Sequence, residues 1–167
     1  MKLYAAPLDF RAIADEFDVP TDFPPELHAE AANAHDRYAD QRRDARDIEF
    51  VTIDPAGSMD LDQAVAIEKS GEGYRVFYAI ADVAAFIEPG SGLHEESLKR
   101  GQTIYLPDEP ARLHPEELSE GSASLLPDED KPAVLWTFEL DAQGELTETN
   151  VERAVVRSVA RLSLIHI

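Results

Sequence analysis

Asp54-Pro-Ala-Gly-Ser-Met-Asp60-Leu-Asp62-Gln63 follows directly on the apolar run Glu49-Phe-Val-Thr-Ile53. A short β-branched and aromatic run that stops at a turn rich in Pro, Gly and Ser reads as a strand leaving its sheet. Pro55, Gly57 and Ser58 turn the chain back, so Asp54 can approach Asp60 and Asp62. The i, i+2 relation of Asp60 and Asp62 points both to one side of an extended segment. Three carboxylates on one turn repel one another, and a hard cation relieves that repulsion. Oxygen donors without a neighbouring Cys or His suit Mg2+, with Mn2+ as an alternative, and leave positions open for water and substrate phosphates. Phosphodiester chemistry is the reaction class this suggests. A second reading stays open at this level, an Asp-rich turn whose side chains cap backbone amides and face water. A calcium loop of the EF-hand type does not fit. Counted from Asp60, Val65 falls where that loop needs Gly and Gly71 falls where it needs Glu.

Outward from this loop, residues 63–69 and 74–80 read as strands joined by Ser70-Gly-Glu-Gly73 as a hairpin. Val134, Trp136, Phe138 and Leu140 alternate along a further strand, with Trp136 expected in the core. Asp141-Ala-Gln-Gly144 turns, and residues 146–158 return as its partner. Leu93 to Arg100 is expected to be helical and closed by Gly101. Residues 9–18 and 25–40 read as helices, the second opened by Pro24-Pro25 and carrying Leu27, Ala31, Ala34 and Tyr38 at helical spacing. The Pro-rich stretches between 107 and 132 read as loops. The expected class is α/β of mixed α+β character, a mixed sheet with hairpins and flanking helices.

Several segments in order resemble the catalytic domain of the ribonuclease II and ribonuclease R family, the RNB domain. They are Arg46-Asp-Ile-Glu-Phe-Val-Thr-Ile-Asp54, Asp60-Leu-Asp-Gln-Ala64, Tyr78-Ala-Ile-Ala-Asp-Val83, Thr103-Ile-Tyr-Leu-Pro107, Leu113-His-Pro-Glu-Glu-Leu-Ser119 and Ser124-Leu-Leu-Pro127. The resemblance covers about residues 42 to 161, which implies the N-terminal part of such a domain, with residues 1–41 as a separate helical segment. It implies a Mg2+-dependent exoribonuclease that degrades single-stranded RNA from the 3′ end and releases nucleoside 5′-monophosphates. Asp54, Asp60 and Asp62 are then the metal ligands, with Asp62 also holding or activating the attacking water. The family's fourth Asp falls on Gln63, whose carbonyl can ligate but carries no charge, so cation binding should be weaker. Tyr105 matches the aromatic that stacks on a base near the RNA 3′ end, although a tyrosine in a β-rich segment is more often simply packed. The family's downstream arginine and second aromatic have no counterpart in the sequence. A degenerate, non-catalytic RNA-binding or interaction module is the competing reading.

Asp82 is expected to be structural, capping the turn after its strand. His28, His35, His94, His114 and His166 show no metal-ligand spacing and are expected to be solvated or capping. The sequence has 34 acidic against 15 basic residues and a formal charge of -19, which opposes tight nucleic-acid binding by this chain alone. It has no cysteine, so disulfide partners and thiolate metal sites are excluded. No apolar run approaches a membrane span and no signal-peptide core develops before Asp9, so the expected compartment is the cytoplasm. Leu162-Ser-Leu-Ile-His-Ile167 is the translation of CTG TCT CTT ATA CAC ATC, one strand of a common transposon-end sequencing adapter. Residues 162–167 are therefore a candidate adapter-derived tail and the chain a candidate truncation, although Leu162 and Ser163 also suit the family pattern.

Overall fold

The computed structural model describes residues 9–163 and residue 165. Three α-helices are found among them, α1 (Arg11–Glu16), α2 (Pro25–Asn33) and α3 (Gly92–Arg100). The strands are β1 (Arg43–Asp44), β2 (Phe50–Ile53), β3 (Gln63–Ser70), β4 (Gly73–Ala81), β5 (Ile104–Tyr105), β6 (Pro110–Ala111), β7 (Asp130–Leu140) and β8 (Leu146–Leu162). The fold is mixed α/β, as the sequence implied.

The main sheet runs β1-β8-β2-β3-β4-β7, and β7 also pairs with β8. Two antiparallel hairpins, β3–β4 and β7–β8, supply most of the ladder, while β8 continues past β7 to lie parallel to β2. The pairing circuit of β2, β3, β4, β7 and β8 therefore closes on itself. In the β3–β4 turn Gly71 has φ +59°, and at Gly73 an added Cβ would lie 1.9 Å from the Leu140 carbonyl oxygen. Glycine is required there by the close approach of β7.

Inside the circuit sit Phe50, Leu61, Ala64, Phe77, Ala79, Leu125, Ala133, Leu135, Ala154 and Val156. Phe50 and Phe77 meet edge to face at 6.4 Å. Trp136 is not in this core, contrary to expectation. The inward residues of β7 are Lys131, Ala133 and Leu135, so the alternating set Val134, Trp136 and Phe138 faces the opposite side and is half-buried. Trp136 and Phe138 stack there with ring centroids 6.1 Å apart. Cross-strand register arranges this outer face in rows, Val65–Tyr78–Trp136–Val151 and Ile67–Val76–Phe138–Thr149.

A second core joins Leu27 and Ala31 of α2, Leu93 of α3, Ile87, Leu118 and Ala123. α3 follows the expectation, with Ser91 accepting the His94 amide and Gly101 at φ +76° ending it. The helix expected over 25–40 stops at Asn33, whose amide group donates back to the Ala29 carbonyl at 2.7 Å. Asp36 then accepts the Tyr38 amide, and a 3-10 turn occupies Ala39–Gln41. Such local side-chain bonds compete with helix continuation. Arg42, its side chain fully buried, ties this segment to the sheet through Asp36 and Asp82. Asp82 is structural as expected, through ion pairs to Arg42 and Arg153, and its side chain makes no cap bond.

The stretch 107–132 is not all loop. β6 pairs with β5, and Glu117–Ser122 form one π-helical turn. Leu162 ends β8 opposite Ile53, whereas residues 164, 166 and 167 of the candidate tail, and His166 with them, lie outside the described residues.

Candidate active site

β2 delivers Asp54 to the sheet edge, and the Asp54 amide donates to the Leu162 carbonyl at 3.1 Å. The chain then turns through Gly57, at φ +95°, with the Ser58 amide bonded to the Pro55 carbonyl at 3.1 Å. Leu61 is fully buried, which forces its neighbours Asp60 and Asp62 to the solvent side. Ser124 fixes this arrangement, its hydroxyl donating to the Met59 carbonyl at 2.5 Å and accepting the Leu61 amide at 3.0 Å. On the other flank Arg161 Nη1 donates to the Ser58 carbonyl at 2.6 Å.

The three carboxylates feel one another. Burial, then the charges of Asp62 and Asp60, push the Asp54 carboxyl above its ordinary value, and Arg161 partly offsets them. None of the three forms an ion pair with a described lysine, arginine or histidine. Converging, unpaired carboxylates are the donor chemistry a hard divalent cation takes. Their side chains stand within electrostatic range without closing to ligand distance. Among the described residues no group of three or more His, Cys, Asp or Glu stands in a geometry that would hold a metal ion. Gln63, the fourth sequence-derived donor, begins β3 and its carbonyl oxygen accepts the hydroxyl of Tyr78.

Tyr105 stands over the cluster, 72% exposed. Its hydroxyl donates to Asp60 Oδ2 at 3.1 Å, and burial together with that bond raises the phenol above its ordinary value. Behind it opens a cleft of about 290 Å³ between the ends of β3 and β4 and the segment 103–123. Ile80, Val83, Leu113 and Ala123 give it apolar walls, and Asp60, Asp62 and Arg112 give it charge. Arg112 is held by Glu116 and Glu120 at 3.1 and 2.6 Å. His114 also lines the cleft, with Nδ1 buried and without a hydrogen-bond partner, and burial lowers its pKa. This corrects the expectation of a solvated or capping role. His28 pairs with Glu117 at 3.0 Å and His94 accepts the Gly90 amide, as surface histidines do.

Of the residues singled out in the sequence, Asp60, Asp62 and Tyr105 line one cleft, and Asp54 lies outside that lining but within range of both carboxylate charges. Arg112, Ser124 and Arg161 carry no spacing signal of their own, as anchors and cleft walls do not, and His114 reads from the sequence only as a solvated or capping residue.

The chain belongs to the RNB domain family, which its residues 42–166 match. It is 36% identical over 156 residues to ribonuclease R of Aquifex aeolicus, an alignment covering 90% of this chain and 22% of that protein. The chain thus spans about a fifth of the length of this curated relative. The structure of Mycoplasma genitalium RNase R in complex with double-stranded RNA superposes with a TM-score of 0.89 at 26% identity, over 94% of this chain and 29% of that one. Yeast Ssd1, a pseudonuclease, shares the fold at a TM-score of 0.68 and 20% identity, over 87% of this chain and 17% of that one.

Proposed function

We propose that this chain forms the carboxylate-bearing part of a cytoplasmic 3′-to-5′ exoribonuclease that hydrolyses single-stranded RNA to nucleoside 5′-monophosphates with Mg2+, or Mn2+ in its place. The observation that supports this is the meeting of Asp60 and Asp62 with Tyr105 at one cleft, with Asp54 near enough for its carboxyl to feel both charges. Asp54, Asp60 and Asp62 would hold the cation. When bound, it would supply charge stabilisation for the attacking and leaving oxygens of an in-line displacement. Asp62, at the rim of the cleft, is the residue we assign to orient and deprotonate the attacking water. The exposed ring of Tyr105 offers a stacking surface indifferent to base identity, which suits a nuclease without sequence preference. Its bond to Asp60 ties the position of the base to the position of a carboxylate.

In a full-length ribonuclease R-type enzyme carrying residues 9–163 in place of its own segment, labelled single-stranded RNA should yield 5′-monophosphates in a Mg2+-dependent manner. Asp62→Asn should abolish release, and Tyr105→Ala should chiefly weaken 3′-end engagement. A fully active Asp62→Asn protein would refute the assignment.

A non-catalytic RNA-binding or interaction module is the second reading, and the engagement of Gln63 by Tyr78 favours it, because the fourth donor is committed to the sheet. RNA retention without any product under the same conditions would decide for it.

A further inference from the structure

We propose that Arg161 is a positioning residue that presets the carboxylate loop for a divalent cation by clamping the Ser58 carbonyl from the end of β8. This deepens the reading above and rests on Asp54, Asp60 and Asp62 holding that cation.

The loop leaves β2 already tied to β8, since Thr52 and Ile53 pair with Arg161 and Leu162 and the Asp54 amide donates to the Leu162 carbonyl. It re-enters the fold at Met59 and Leu61, both held by Ser124. Between these anchors Pro55, Ala56 and Gly57 are exposed, and one internal bond, Ser58 amide to Pro55 carbonyl, shapes the turn. Arg161 Nη1 meets the Ser58 carbonyl at 2.6 Å and lies 3.8 Å from the Met59 sulfur. This bond ties the body of the fold to the middle of the loop, between Asp54 and Asp60.

The guanidinium acts in two opposed ways. Its charge opposes an arriving cation, and its hydrogen bond restrains the loop backbone at Ser58, so that less of the loop must be ordered when a cation draws the carboxylates together. Arg161 is exposed, so water and salt screen the first effect. Fixed geometry is not screened, and preorganisation therefore prevails.

The test is isothermal titration of Mn2+ into the whole 167-residue chain and its Arg161→Ala, Arg161→Lys and Arg161→Gln variants, with melting temperatures alongside. Loss of one charge-assisted hydrogen bond should lower the Mn2+ association constant of Arg161→Ala about three- to tenfold. Arg161→Lys should restore most of it. Arg161→Gln, a donor without charge, should bind at least as tightly as Arg161→Lys. A merely structural role would move the melting temperature and leave Mn2+ affinity alone. Arg161→Ala binding Mn2+ as tightly as the parent, or more tightly, overturns the clamp. If Arg161→Ala does not fold, the other two variants decide, and Arg161→Gln binding more weakly than Arg161→Lys overturns it. An Asp62→Asn arm separates the two ideas. Affinity unchanged by Asp62→Asn removes the cation site itself, whereas affinity lowered by Asp62→Asn but not by the Arg161 variants removes only the clamp.

Discussion

Asp54 is the residue whose environment makes the sharpest prediction. Burial and the charges of Asp62 and Asp60 raise its pKa above the ordinary 3.8. For an acid raised on folding, the native state holds the proton longer than the unfolded chain. The penalty is absent below 3.8, grows as pH rises through the folded pKa and is full at neutral pH. Asp54→Asn should therefore raise the melting temperature at pH 7, and the gain should vanish below pH 3.8. The same proton competes with a cation, so Mn2+ affinity should begin to fall at a higher pH than an ordinary carboxylate would require. Thermal melts and Mn2+ titrations across pH check both, and equal melting temperatures of parent and variant at pH 7 would refute the first. Asp44 behaves oppositely. Its bonds to Arg46 bring the carboxyl down to about 2, so its stabilising share is present above pH 3.8 and lost as pH falls through 2. The aspartates were legible in the sequence because three carboxylates on one short turn stand out as a local density of charge. Their anchors were not, because Ser124 and Arg161 act through backbone carbonyls that any sequence possesses.

At the level of elements, β7 shows where periodicity misleads. Both its faces are apolar, Ala133 and Leu135 inward, Val134, Trp136 and Phe138 outward. An alternating pattern identifies a strand, but it identifies the core face only when the other face is polar. The hairpins were legible because Gly71, Gly73 and Asp141 mark their turns. The two-residue strand β1 and the π-turn at Glu117–Ser122 were not, since each is held by contacts distant in sequence or too short to carry a period. The outer face that results exposes Ile67 by 65% and Val151 by 49%. A continuous apolar sheet face in water attracts dyes and other apolar surfaces. The double change Ile67→Lys with Val151→Lys should reduce dye binding and concentration-dependent association while moving the melting temperature by only a few degrees. Leu135→Ala, in the buried layer, should instead cost about 2 to 5 kcal/mol. Dye fluorescence, sedimentation and melts distinguish these outcomes, and unchanged dye binding in the double variant would show that this face is not the accessible one.

For the whole molecule the dominant quantity is a formal charge of -19. Self-repulsion on that scale destabilises the compact state, so raising NaCl from about 10 to about 200 mM should raise the melting temperature as the Debye length shrinks. Mn2+ at equal ionic strength should raise it further if it binds at the Asp54–Asp62 loop, and Asp62→Asn should remove that excess alone. The same charge sets what this chain can do with RNA. Phosphates are held by free cations, and Arg112 in the cleft wall and Arg161 at the aspartate loop are both engaged, Arg112 with Glu116 and Glu120, Arg161 with the Ser58 carbonyl. Tyr105 offers one stacking face worth about 1 to 3 kcal/mol per base, which is micromolar binding only if several such contacts add. The isolated 167-residue chain should accordingly bind single-stranded RNA weakly, lose little of that binding as salt rises because few phosphates are neutralised, and release no nucleoside monophosphates processively. Filter binding at two salt concentrations and thin-layer analysis of labelled RNA measure both. Robust mononucleotide release by the purified chain, abolished by EDTA and by Asp62→Asn, would mean that these carboxylates and Tyr105 suffice for turnover without a further cation from elsewhere.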